Sequence, residues 1–181
     1  MSLLRIDFSA IEALMKTFDI KLYKIPIETR RNMIDHAAEC VLKEVKQNAR
    51  KMIHGKYALP ETDGTNIANA AYIDTKHRND DDPYVEINFK GNVNRYNEPR
   101  DIHPVQKNGK WYFSTKKGVI RNGKRRIAEV AFVNEYGVPR NKNQGARGYL
   151  SKAMDDGMRK AFKGLADMLE DFIADSLANA I

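Results

Sequence analysis

Eight Lys and Arg residues fall between positions 102 and 128 with no acidic residue among them: Lys107, Lys110, Lys116, Lys117, Arg121, Lys124, Arg125 and Arg126. They are interleaved with Trp111, Tyr112 and Phe113, a mix that can hold phosphates by charge and stack on bases. The whole chain carries a net charge of +7, so nearly all of its positive character is local. Two other uses of the same residues stay open. The lysines can protect exposed strand edges while the aromatics face a core, or the segment can meet an acidic surface on a protein partner.

The remaining reactive side chains are scattered. Cys40 is the single cysteine of 181 residues, so there is no intramolecular disulfide and no cysteine zinc site. It lies beside a helical apolar stripe, where a buried inert thiol is expected. Asp80, Asp81 and Asp82 offer oxygen ligands but lack the spacing and turn glycine of an EF-hand, and read as a solvated loop. His36, His54, His77 and His103 are dispersed, none at metal-ligand spacing from another. The chain has no phosphate-binding glycine loop, HExxH, Gly-x-Ser-x-Gly or Cys-x-x-Cys. The expectation is a non-enzyme with no catalytic residue, no cofactor and no metal.

Class-level exclusions agree. A hydrophobic content of 42% is enough to bury a core, against a wholly disordered chain. No apolar run approaches the ~20 residues of a membrane span. The start, MSLLRIDF, lacks the basic and long apolar regions of a signal peptide. A soluble protein of a reducing cytoplasm, with no membrane partner, is expected.

Several elements must position these residues. Ser9 and Glu12 have capping-box spacing, followed by Ile11, Leu14, Met15 and Phe18 at helical intervals to about Asp19. Positions 27–54 read as one long helix with an apolar stripe from Ile34 through Ala37, Ala38, Val41, Leu42, Val45, Ala49 and Met52 to Ile53, stopped by Gly55. Such a helix exceeds what a compact domain needs, so part of its stripe is expected to meet another subunit. Residues 84–89 (YVEINF) alternate as a half-buried strand, and 70–74 is a weaker strand that pairs with it. Asn108-Gly109 and Asn122-Gly123 signal tight hairpins. Strands at 105–107, 110–115, 118–121 and 124–134 then form an antiparallel meander whose most apolar member is 127–133. Helical spacing returns from Leu150 to the end. The expected fold is α+β: an antiparallel meander of about four to six strands packed against a long helix in the N-terminal half and a long C-terminal helix. Residues 1–25 are a helical arm and 26–181 a single domain, with a basic hairpin elaboration at about 102–128.

One further pattern stands at 131–138 (AFVNEYGV) and 146–154 (ARGYLSKAM). It resembles the signature of the small phage neck proteins, the tail-completion or head-tail joining family of lambdoid type. There a strand ends in a pattern like F-V-E-F-G-T, and a loop leads to R-P-F-L-x-x-A-L at the start of the C-terminal helix. Phe132, Val133, Glu135, Tyr136 and Gly137 match the first element; Arg147, Tyr149, Leu150, Ala153 and Met154 match the second. Asn134 lies within the first pattern, Val138 stands where Thr is usual and Gly148 where Pro is usual. From the residues themselves, Gly137 suits a sharp turn, Tyr136 and Tyr149 suit packing where loop meets helix, and Glu135 and Arg147 are the expected charge pair. A corner that only stabilises the fold and an assembly contact are both open.

The resemblance implies a structural component of a virion or tail-like particle, assembled in a bacterial host's cytoplasm. Its partners would be further copies in a ring, six in line with tail symmetry, the tail terminator or tail tube, and the head connector. DNA contact would be transient and sequence-independent. The alternative is a nucleic-acid-binding module acting through the basic hairpins.

Overall fold

The structure is a computed structural model that describes residues 4–15, 25–53, 64–94, 100–107, 110–117, 124–137 and 145–178. In chain order the elements are β1 (Leu4–Asp7), α1 (Phe8–Met15), α2 (Ile27–Met52), α3 (Gly64–Ala70), β2 (Ala71–Asp74), β3 (Tyr84–Phe89), β4 (Asn92–Asn94), β5 (Arg100–Lys107), β6 (Lys110–Lys117), β7 (Lys124–Arg126), α4 (Ile127–Tyr136) and α5 (Tyr149–Ala178). The fold is α+β, with a three-stranded antiparallel sheet and two long helices. Two compact units divide the chain, one comprising 1–45, 72–88 and 153–181 and the other 46–71 and 89–152.

In the first unit the sheet has strand order β1-β3-β2. β1 runs antiparallel to β3, with Ile6 opposite Val85 and Leu4 opposite Ile87. β3 buries alternate residues, Val85 and Ile87 among them, as its period of two requires. On α2, Met33, Ile34, Ala37, Ala38, Val41 and Val45 are fully buried. At about 1.5–3 kcal/mol for each fully buried Val, Leu or Ile, this stripe holds the helix in place more than propensity does. α5 answers with Ala153, Gly157, Ala161, Leu165 and Leu169. Its glycine lets the two helices approach closely, since a Cβ on Gly157 would stand 2.5 Å from the Val41 Cα. Lys160 Nζ donates to the buried Glu44 carboxylate at 2.6 Å, so this buried charge is paired.

The connection between β2 and β3 is tied to α2 by two arginines. Arg78 Nε donates to Asp35 at 2.7 Å, and its Nη2 donates to Glu28 and Asn32 at 3.3 Å. Arg31 donates to the carbonyls of Arg78 and Asn79 at 3.0 Å and to Glu28 at 3.1 Å. The hydrogen bond from Arg31, joined by Arg78, holds the Glu28 carboxyl below its ordinary value of 4.5. A carboxyl with a depressed folded-state pKa adds stability above its ordinary value, and that stability is lost as pH falls through the lowered one. The urea midpoint should therefore drop on acidification below about pH 4.5. Arg31→Gln should shrink the part of that drop assigned to Glu28; an unchanged acid limb in the variant would remove this account.

In the second unit, the end of α2, α3, α4 and the first turn of α5 share a core of Ala49, Ile53, Ile67, Val130, Ala131, Tyr149 and Leu150. α3 is joined to the end of α2 by the Gly64 N–H on the Ile53 carbonyl at 2.9 Å. Two small two-stranded sheets complete the unit: β4 with β7, where Val93 faces Arg125, and the β5–β6 hairpin, where Lys107 faces Lys110.

Several expectations are corrected. Among the described residues the strands do not form one meander of four to six but separate sheets of three, two and two. The segment 127–133, expected as the most apolar strand, begins helix α4. Ile127, Val130, Ala131, Phe132, Val133, Asn134 and Glu135 are all buried, and a segment enclosed on every side carries no usable period. Only Lys124–Arg126 is strand, and it pairs with β4. The proposed strand at 118–121 and the Asn122-Gly123 turn lie outside the described residues, as do Phe18, Asp19 and Gly55. Ser9 is not a cap: α1 begins at Phe8, directly after β1, and the Ser9 hydroxyl donates to the Asp7 carboxylate. Of the stripe of α2, Ile34, Ala37, Ala38, Val41, Val45, Ala49 and Ile53 are buried and Leu42 and Met52 are half-buried. The large apolar side chains left exposed among the described residues are Ile27, Tyr136, Phe162 and Ile173.

Candidate functional site

The residues of the resemblance meet at the corner between α4 and α5, in the second unit. α4 ends at Tyr136 because Gly137 takes φ 72° and ψ −177°, a combination open essentially only to glycine. Its N–H closes the helix on the Val133 carbonyl at 2.8 Å. The last carbonyls of a helix have no partner within it. Here the Asn134 and Glu135 carbonyls accept from the N–H groups of Arg147 (2.9 Å) and Gly148 (3.2 Å). The chain therefore returns to the end of α4 before starting α5.

The start of α5 is satisfied in turn by α4. Gly148, at φ 60°, precedes the helix and has no side chain with which to cap it. The buried carboxylate of Glu135 takes that part: one oxygen accepts from the Leu150 N–H at 2.6 Å, the other from the Ser151 N–H at 3.1 Å and from the Ser151 hydroxyl. A negative group at this point also meets the positive end of the helix dipole. Proline, usual in the family at the position of Gly148, has φ fixed near −65° and cannot adopt the conformation found here.

Around this core, Tyr149 is fully buried and its hydroxyl donates to the Ala131 carbonyl at 3.4 Å. The buried Asn48 amide donates to the Tyr149 carbonyl at 3.4 Å, and the Asn134 amide to the Val130 carbonyl at 2.9 Å. Arg147 donates through its guanidinium to the Met52 carbonyl at the end of α2. The expected Glu135–Arg147 ion pair is thus replaced by two side chain to backbone anchors. Leu150 is buried; Phe132 packs its ring 4.5 Å from that of Tyr136, which is half exposed. Burial raises the pKa of the Tyr136 phenol and drives that of Tyr149 well above its ordinary value, so the Tyr149 hydroxyl stays a neutral donor to the Ala131 carbonyl. The side chains of Asn134, Glu135, Arg147, Tyr149 and Ser151 are thus engaged in holding α4, α5 and the end of α2 together.

No family model, curated protein or solved structure matches the chain.

The basic residues are not one continuous ribbon. Lys107, Lys110, Lys116 and Lys117 lie on the β5–β6 hairpin, Lys124, Arg125 and Arg126 on β7, and Arg121 lies outside the described residues. Arg126 pairs with Glu129 at 3.1 Å. Cys40 is partly buried, and burial raises its thiol pKa. Asp80, Asp81 and Asp82 are exposed, with Asp80 on His77 at 2.8 Å and Asp82 on Arg5 at 3.8 Å. Among the described residues no three His, Cys, Asp or Glu side chains are grouped to hold a metal ion, and no helix is long and apolar enough to cross a membrane. An open groove on α5 is lined by Met154, Asp155, Met158, Arg159 and Phe162.

Sequence reasoning missed Asn48 and Ser151. The signal for Asn48 was present: a polar residue on the apolar face of α2, between Val45 and Ala49, needs a buried partner. Ser151 carried no such mark.

Proposed function

We propose that the protein is a non-enzymatic structural subunit of a phage or phage-tail-like particle, a tail-completion or neck protein that assembles as a ring between the tail and the head connector. The observation that carries the reading is the use made of the signature. Phe132, Glu135, Tyr136, Gly137, Arg147, Tyr149 and Leu150 converge on one corner, and the polar groups of Glu135, Arg147 and Tyr149 are consumed in fixing it. A signature of that kind belongs to a scaffold whose shape is the function. The order of long helix, strands and terminal helix agrees with the resemblance, although the signature's first element is helix α4 here where the family has a strand. A ring is built from head-to-tail contacts, so each subunit needs two different adhesive surfaces. One candidate is the exposed apolar edge of α5, with Phe162 at its centre; the exposed Tyr136, on the other compact unit, marks a second.

Native mass spectrometry and negative-stain microscopy of the purified chain test the reading. Closed rings of one stoichiometry are expected, and Phe162→Asp should shift them toward monomer without lowering the thermal midpoint. A monomer at every concentration that also fails to join tails when added to a particle assembly mixture would overturn it.

A further inference from the structure

We propose that two copies of the chain pair through α5, antiparallel to each other about a two-fold axis close to Leu165. The inference goes beyond the ring reading and does not rest on it. It starts from what α5 leaves uncovered. Phe162 and Ile173 are 38% and 37% exposed. Their separation of eleven positions is close to three helical turns, so they share one face, roughly 16 Å apart along the axis. Met158 and Ala166, both half-buried, lie on the same face, and the groove lined by Met154, Met158 and Phe162 opens at its N-terminal end. Methionine adapts its shape to the surface that meets it. This apolar strip runs beside the buried seam of Ala153, Gly157, Ala161 and Leu165, which faces the chain's own core.

Charge identifies the occupant. One position on from Met158, Phe162, Ala166 and Leu169 stand Arg159, Lys163, Asp167 and Glu170, all four exposed. At spacings of three and four they form one ridge along the strip, and the ridge reads plus, plus, minus, minus. A second α5 laid alongside in the same direction sets like charge against like. Laid in the opposite direction it presents minus, minus, plus, plus, so that Arg159 meets the partner's Glu170 and Lys163 meets the partner's Asp167. The two-fold repeats both pairs, and Phe162 of each copy lies over the partner's Ala166 and Leu169. An isologous contact needs a surface that is its own complement, and this ridge is one. An unrelated helix would have to carry the reversed charge order independently, whereas a second copy has it by symmetry. Within the chain Arg159 reaches Asp156 at 3.8 Å with 79% of its side chain exposed, so it is accessible to a partner. Such a contact closes at two copies. It is therefore the form of the chain off the ring, and ring closure exchanges it for a head-to-tail contact on the same edge.

Sedimentation velocity of dilute protein, below the concentration at which rings close, should show a monomer–dimer equilibrium whose dissociation constant rises with salt, because exposed charges are screened. Two double variants carry the test. Arg159→Glu with Lys163→Glu makes the ridge wholly acidic, and Asp167→Lys with Glu170→Lys makes it wholly basic. Each alone should dimerise at least about tenfold more weakly than the parent, with the thermal midpoint unchanged because all four side chains are exposed. Mixed one to one, the two variants should recover a dimer containing one copy of each. Orientation is read in a Cys40→Ser background, where Met158→Cys mixed with Ile173→Cys should oxidise to the mixed disulfide in preference to either homodisulfide. A parent that stays monomeric in this range, double variants that dimerise as the parent does, a mixture that stays monomeric, or prevailing homodisulfides would each overturn the proposal. Rings that dissociate directly to monomers would remove this inference and leave the assembly reading standing.

Discussion

Gly157→Ala is expected to lower the thermal midpoint by about 4–8 °C, the equivalent of roughly 2 kcal/mol in a chain of this length. Helix propensity alone predicts the opposite, a gain of about 1 kcal/mol for replacing an interior helical glycine by alanine. Geometry decides against it. The new methyl would lie 2.5 Å from the Val41 Cα, 2.8 Å from its Cγ2 and 2.9 Å from its backbone nitrogen. Backbone atoms in the middle of α2 cannot rotate aside, so the helices must separate. The contacts of Ala37, Ala38, Ala161 and Leu165, all buried, weaken together.

Gly164→Ala, two turns further along the same helix, is the internal control. Its Cβ would meet only the imidazole of His36, at 2.3 Å from Nε2 and 2.7 Å from Cε1. His36 is only partly buried, and the far end of that side chain can swing away. The propensity gain then survives, and the midpoint should hold or rise slightly. If both glycine variants behave alike, close packing of α2 on α5 is not what constrains position 157.

The same contrast between backbone and side chain explains what the sequence made legible. α2 and α5 were readable because a stripe sustained over many turns fixes both type and face, and β3 because six residues alternate cleanly. β1 was not: in Leu4–Asp7 only Ile6 is buried, too little for a period of two to register. The pairing of β4 with β7 joins three-residue strands from distant parts of the chain, and nothing local marks it. α4 defeated the reading for the reverse reason, since its apolar residues face protein on nearly every side. At the corner, Gly137 makes a turn, though off a helix and not off the expected strand, and Tyr149 is buried where the chain enters α5. The partner of Glu135 was sought among cations, because a side-chain inventory does not display backbone N–H groups. Such groups become visible only once the helix start at Tyr149 and the side-chain-less Gly148 before it are known.

That substitution of backbone for cation makes Glu135→Ala the second large effect, an expected loss of about 2–4 kcal/mol. Removing the carboxylate strips the Leu150 and Ser151 N–H groups and the Ser151 hydroxyl of their acceptor at once. Leu150 is buried, so its N–H has no water to turn to, and an unsatisfied buried donor costs about 1–3 kcal/mol. The lost cap and the lost charge at the positive end of α5 add about 1 kcal/mol more. Glu135→Gln should recover only part: its carbonyl oxygen can accept from one N–H, while its amide brings a second donor against the other. Hydrogen exchange distinguishes this defect from that of Gly157→Ala. The Leu150 and Ser151 amides should lose protection selectively in the Glu135 variants, whereas separated helices expose the middle of α5. An Ala variant as stable as the parent, with those two amides still protected, would mean that α5 starts without help from α4. The corner would then lose its standing as the place where the signature does its structural work.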